Sequence, residues 1–89
     1  RTDVLDRAMI DLLSFYRDVL TTQMGSDVER VNLDLADAVD QAARTTTPEQ
    51  SLARIAAIEE CRSRLRSNAA PLLAVEALMV QLRPQAEGG

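Results

Sequence analysis

Lysine, histidine and tryptophan are absent from this chain, which holds one cysteine and two aromatic residues, Phe15 and Tyr16, side by side. Each shortage removes a class of chemistry. Without lysine there is no Schiff-base nucleophile and no phosphate-binding lysine. Without histidine there is no imidazole base, and zinc sites that use histidine are excluded. Cys61 alone cannot close an intramolecular disulfide, so cysteine usage implies no oxidising compartment. A net charge of −4 and the scarcity of aromatics argue against a basic, base-stacking surface for single-stranded nucleic acid. No apolar run approaches the ~20 residues needed to span a bilayer. The expectation is a domain with no catalytic residue, no cofactor and no metal ligand of its own.

What is present favours helices. Alanine and leucine dominate, and the three glycines and three prolines punctuate rather than interrupt the apolar patterns. The 89 residues suffice for one small domain. A chain of this size buries only roughly 60–65% of its unfolded surface, so its core is thin. The patterning predicts an all-α fold, a small bundle of four main helices at about 3–24, 33–44, 48–67 and 71–83. One domain over 1–84 is expected, followed by a disordered polar tail at 85–89. With Arg1 in place of methionine, the chain is expected to be a fragment of a longer one.

The first helix carries a broad apolar arc of Leu5, Ala8, Met9, Leu12, Leu13, Phe15, Tyr16, Val19 and Leu20, and Gly25 is its natural stop. Asp3, Arg7, Asp11, Ser14 and Asp18 fall on the opposite side. Such an arc suits a central helix, or one whose margin at Ile10 meets another subunit. The second helix sets Leu35, Ala36, Val39, Ala42 and Ala43 against Asp34, Asp37, Asp40 and Arg44, with Asn32 or Asp34 as cap. Its three aspartates read as a solvated face, because one helix offers few converging metal ligands.

The third helix starts at a Thr47-Pro48-Glu49-Gln50 capping box and buries Leu52, Ile55, Ile58, Cys61 and Leu65. Arg62, Arg64 and Arg66 lie near its C-terminus, where cations are favoured, with Glu59 and Glu60 as partners for Arg62 and Arg64. Nucleic-acid contact is the alternative use of these arginines, though they make no single patch. Arg62 falls between Ile58 and Leu65 on the apolar side, where a charge needs a partner. Glu76, the only acid of the fourth helix, is the expected one, unless Glu76 finds a gap to solvent. That helix, from Pro71 to the stop at Pro84, has no properly polar face: Leu72, Leu73, Val75, Leu78, Met79, Val80 and Leu82 encircle it. It should be buried all round, with help from a missing segment or a partner.

The order of specific segments adds a resemblance. Phe15-Tyr16-Arg17-Asp18-Val19-Leu20 resembles the phenylalanine-x-arginine-aspartate-leucine-leucine segment in the C-terminal domain of bacterial clamp-loader subunits. Val31-Asn32-Leu33-Asp34-Leu35, Thr47-Pro48-Glu49-Gln50 and Glu60-Cys61-Arg62-Ser63-Arg64-Leu65 are similar to that family's following segments, in the same order. Asn68-Ala69-Ala70-Pro71, with the leucines and Glu76 that follow, resembles its asparagine-x-asparagine-proline motif. Arg17, Asp18, Asn68, Pro71 and Glu76 are thus the family-motif positions. Ala70 departs from the motif at a residue that should cap the fourth helix.

The resemblance implies a cytoplasmic collar domain that holds its subunit in the pentameric ATPase loading the sliding clamp on primed DNA. It is closest to the delta-prime subunit of DNA polymerase III, with the paralogous gamma/tau collar as alternative. The implied partners are the gamma/tau and delta collars, with no membrane and no strong direct nucleic-acid binding. Ile10, Phe15, Val75 and Met79 are the expected interface residues. An unrelated ligand-binding or regulatory bundle remains a rival, and it would require an enclosed pocket with convergent polar groups.

Overall fold

The computed structural model describes residues 2–25, 33–67 and 70–83, which form four α-helices and, among those residues, no strand. These are α1 (Thr2–Gln23), α2 (Ala36–Thr45), α3 (Pro48–Arg66) and α4 (Pro71–Leu82). A single 3-10 turn, Leu33–Leu35, leads into α2. Val31, Asn32, Asn68, Pro84 and the tail at 85–89 lie outside the described residues.

Local chemistry sets the helix ends. The Thr47 hydroxyl accepts from the Gln50 amide N–H at 3.1 Å, and the Gln50 side chain accepts from the Thr47 N–H at 2.9 Å. Pro48 then occupies the first turn, where its missing N–H costs nothing. Gly25 ends α1 with φ +68°, a left-handed conformation that a side chain would strain. The other two starts lack such chemistry. Leu35 precedes α2 and Ala70 precedes α4, and neither is a residue whose side chain caps. Of the two caps expected for α2, Asp34 is not at the capping position, which the 3-10 turn gives to Leu35, and Asn32 lies outside the described residues.

Three pairings build the core. α1 packs along α3, α2 packs mainly on α1, and α4 packs mainly on α3. Asp6–Arg62, Tyr16–Arg54 and Gln23–Ser51 pairs show that α1 and α3 run antiparallel. The helices follow one another as α2–α1–α3–α4 in a flattened body of 38 × 34 × 17 Å. Met9 and Leu13 of α1 meet Ala57, Ile58, Cys61 and Leu65 of α3, and Ala74 and Leu78 of α4 close the other side. Val19 and Val39 are fully buried in α1 and α2. The broad arc of α1 is thus covered by two neighbours, as a central helix requires.

Four expectations about faces need correction. Asp18 is 4% exposed, not on a solvated side. Ala8 is exposed rather than buried. Leu52 is 54% exposed and Ser51 takes its place inside. Ser51 stands seven residues before Ile58 and fourteen before Leu65, so it shares their buried face, and the next residue, about 100° onward, points out. Finally, α4 is not buried all round. Among the described residues only α3 provides it with a substantial partner, so Ala74 and Leu78 are buried while Leu72, Leu73, Met79 and Val80 face solvent.

Candidate assembly surface

The outer face of α4 is the largest departure from a self-sufficient domain. Leu72, Leu73, Met79 and Val80 are 69, 66, 58 and 57% exposed. All four are large apolar side chains on one 12-residue helix. Scattered exposed leucines are ordinary, but a contiguous apolar patch marks a surface built for contact. Covering what these side chains still expose would contribute roughly 4–8 kcal/mol before association costs, scaling ~1.5–3 kcal/mol per fully buried side chain by the exposed fractions. Glu76 sits exposed on the same helix.

Beneath this face, small residues bring α3 and α4 together. Ala57, Cys61 and Ala74 are buried at the seam, and the Cys61 thiol lies 3.7 Å from the Ala74 carbonyl oxygen, to which it donates. Burial pushes the Cys61 thiol above its ordinary pKa, with Arg64 opposing weakly. Cys61 is a small core residue. Beside the seam an open groove of about 340 Å³ is lined by Ala77 and Val80 of α4 and by Glu60 and Arg64 of α3. A second open groove, about 440 Å³, lies between α1 and α3 and is lined by Ile10, Leu13, Ser14, Arg17 and Arg62.

The expected interface residues do not form one surface. Met79 is on the outer face of α4, whereas Val75 is partly buried against the core. Ile10 borders the α1–α3 groove. Phe15, five residues on and so about 140° around α1, is partly buried with its edge against Tyr16 at 5.2 Å.

Arg62 has the partner its position demands, but that partner is Asp6 of α1, not Glu76. The Arg62 Nε donates to Asp6 Oδ1 at 2.9 Å, and a second guanidinium nitrogen reaches Oδ2 at 3.4 Å. This hydrogen-bonded pairing holds the Asp6 carboxyl below its ordinary range, aided by the charges of Arg62 and Arg66 and opposed by burial. It raises Arg62 in turn. The α1–α3 seam shields both groups, so each stabilises the other's charged form. Glu76 lies on α4, which packs on the other side of α3. Glu59 likewise pairs with Arg17 at 3.4 Å rather than with Arg62, while Glu60–Arg64 forms at 3.0 Å as expected. Arg62 and Arg64 are thus neutralised locally, which leaves no concentrated basic patch at the end of α3. Asp34 and Asp37 are exposed on the α2 side, and among the described residues no three potential ligands converge on a metal site.

One polar cluster was not anticipated. The Gln23 side chain ends α1 by accepting from the buried Ser51 hydroxyl at 2.7 Å. Its amide nitrogen donates to the Thr46 carbonyl at 2.9 Å, the Thr46 hydroxyl at 3.0 Å and, more weakly, the Ala43 carbonyl at 3.3 Å. The Thr46 hydroxyl in turn donates to the Ala42 carbonyl at 2.7 Å. The two carbonyls fix which end of the amide is nitrogen. Three helices are tied together at one point. No sequence signal marks it, because a glutamine, a threonine and a serine at helix ends are individually unremarkable.

With this geometry in place, comparison with known proteins is decisive at one level. Residues 4–83 match the family described as DNA polymerase III, delta subunit, C terminal. The chain belongs to that family. No curated protein and no solved structure matches it. The clamp-loader resemblance thereby holds at the level of a DNA polymerase III clamp-loader component, and the subunit is corrected: delta, not delta prime. The expectation of a delta collar as neighbour falls with that correction, and the match names delta rather than gamma/tau. The motif residues explain the error. Pro71, the Thr47–Gln50 box and the leucines occupy capping and packing positions, which any helical domain of this type needs whatever its subunit. Among the described residues of this delta-family domain, no helix is long and apolar enough to cross a membrane.

Proposed function

We propose that this domain is an assembly module, which holds the delta subunit within the clamp loader by docking the outer face of α4 on another subunit's helical domain. The observation that carries the reading is the exposure of Leu72, Leu73, Met79 and Val80 on a helix that has one substantial neighbour among the described residues. Family membership supplies the setting, a replication complex whose subunits must associate. The two grooves are open, so neither supports the rival reading of an enclosed ligand pocket.

The test is co-purification of the complete delta subunit with the gamma/tau motor subunits. Replacing Leu72 and Met79 together with serine should abolish or strongly weaken association while leaving helical content intact, since both side chains already face solvent. Undiminished association of that double variant sinks the reading.

A further inference from the structure

Glu76 occupies a particular place in the apolar face of α4. Leu72 and Leu73 stand four and three residues before it, and Met79 and Val80 stand three and four residues after it. On a helix these are the four positions that adjoin a residue on its own face. All four are large, apolar and exposed, so a single carboxylate lies at the centre of the patch. Asp6, Glu59 and Glu60 take Arg62, Arg17 and Arg64 as their partners, and Glu76 stands outside all three pairs.

A central carboxylate constrains what can cover the patch. A wholly apolar partner would strip Glu76 of water and return nothing for it. A nucleic-acid backbone or an anionic lipid surface would set phosphate against carboxylate. A second copy packed about a two-fold axis through this face would set Glu76 against itself. Each of these fails on charge. A partner that presents one cation among apolar groups succeeds. Arginine suits the position better than lysine, because its guanidinium is weakly hydrated, lies flat on apolar neighbours and binds a carboxylate through two parallel hydrogen bonds.

We propose that α4 docks on a protein surface bearing one arginine ringed by apolar side chains, and that this arginine pairs with Glu76 as the patch is covered. The proposal rests on the assembly reading and names the chemistry of the partner at that surface. Apolar burial then supplies adhesion, while the ion pair fixes register and excludes partners lacking the cation.

The test uses the complete delta subunit and the gamma/tau motor subunits, with equilibrium binding measured at low and high salt. Glu76→Gln, which keeps size and removes charge, should weaken association at least tenfold and flatten its salt dependence. Glu76→Arg should weaken it further, and Met79→Ala should weaken it without altering the salt dependence. If Glu76→Gln binds like the wild type while Met79→Ala is impaired, the patch docks without an arginine. That outcome overturns the proposal and leaves the assembly reading standing. If neither substitution affects binding, both are overturned. Circular dichroism of each variant confirms an intact fold, as expected for exposed positions.

Discussion

Replacing Gln23 with alanine should unsettle the domain more than its partly exposed position implies. A domain of 89 residues has on the order of 4–13 kcal/mol of stability at ~0.05–0.15 kcal/mol per residue. Gln23 accepts the only proton of the Ser51 hydroxyl, which is fully buried, and donates to two oxygens of Thr46. Stranding a buried hydroxyl costs about 1–3 kcal/mol, and the lost donations to half-buried Thr46 add roughly 1 kcal/mol. The sum, about 2–4 kcal/mol, corresponds to a fall in Tm of roughly 8–30 °C for a domain of this size. Thermal and urea unfolding followed by circular dichroism measures it. The diagnostic result lies in the double-mutant cycle with Ser51→Ala. In the wild-type background Ser51→Ala removes a hydrogen bond and should destabilise. In the Gln23→Ala background it removes the stranded hydroxyl and should stabilise. Equal costs in both backgrounds would refute the reasoning, because they would mean that the Ser51 hydroxyl turns to another acceptor once Gln23 is gone.

Three further outcomes follow from particular groups. The Asp6 carboxyl titrates below its ordinary value of 3.8 because Arg62 hydrogen-bonds its charged form. Its contribution is therefore complete above the unfolded pKa and is lost as pH falls through the folded one. In acid unfolding Asp6→Asn should start less stable than wild type above pH ~5 and converge with it as pH drops below about 4. Converse behaviour, with the gap widening in acid, would contradict the pairing. At helix starts, Thr47→Ala should cost about 0.5–2 kcal/mol by breaking the capping box, and Ala70→Ser should gain a similar amount by giving α4 the side-chain cap it lacks. Paired Tm measurements test both signs. Cys61 is buried and its thiol is raised by desolvation, so alkylation should be slow in the folded chain and rise with denaturant in step with unfolding. Rapid native labelling would show the α3–α4 seam to be open.

Much of the fold is legible in the sequence because its signals are local. Thr47, Pro48 and Gln50 mark the start of α3 through chemistry confined to one turn, and Gly25 marks the end of α1 for the same reason. The apolar arc of α1 correctly implies more than one neighbour. Rotation and pairing are less legible, since they depend on which helices meet. Arg62 demands a partner from its own helix position, but Asp6 is 56 residues away and reaches it only because α1 and α3 run antiparallel. Ser51 lies inside because it shares the face of Ile58 and Leu65 at seven-residue spacing, and only the fold shows that Gln23 of another helix meets its hydroxyl there. Apolar residues all around α4 imply burial only when enough neighbours exist, and among the described residues α3 is the one substantial neighbour. Subunit identity is not written in these features at all, because caps and core leucines answer to packing.

The serial order of the helices has a consequence for how the domain breathes. α4 is held mainly by α3, through Ala74 and Leu78, and takes no part in the Asp6–Arg62 pair or the Gln23 cluster. Its amides should therefore exchange through a local opening of lower free energy than global unfolding. A subunit seated on the outer face of α4 converts the outermost helix into an inner layer and must be displaced before that opening occurs. If α4 docks as proposed, assembly and folding are linked equilibria, and the partner stabilises the very element that binds it.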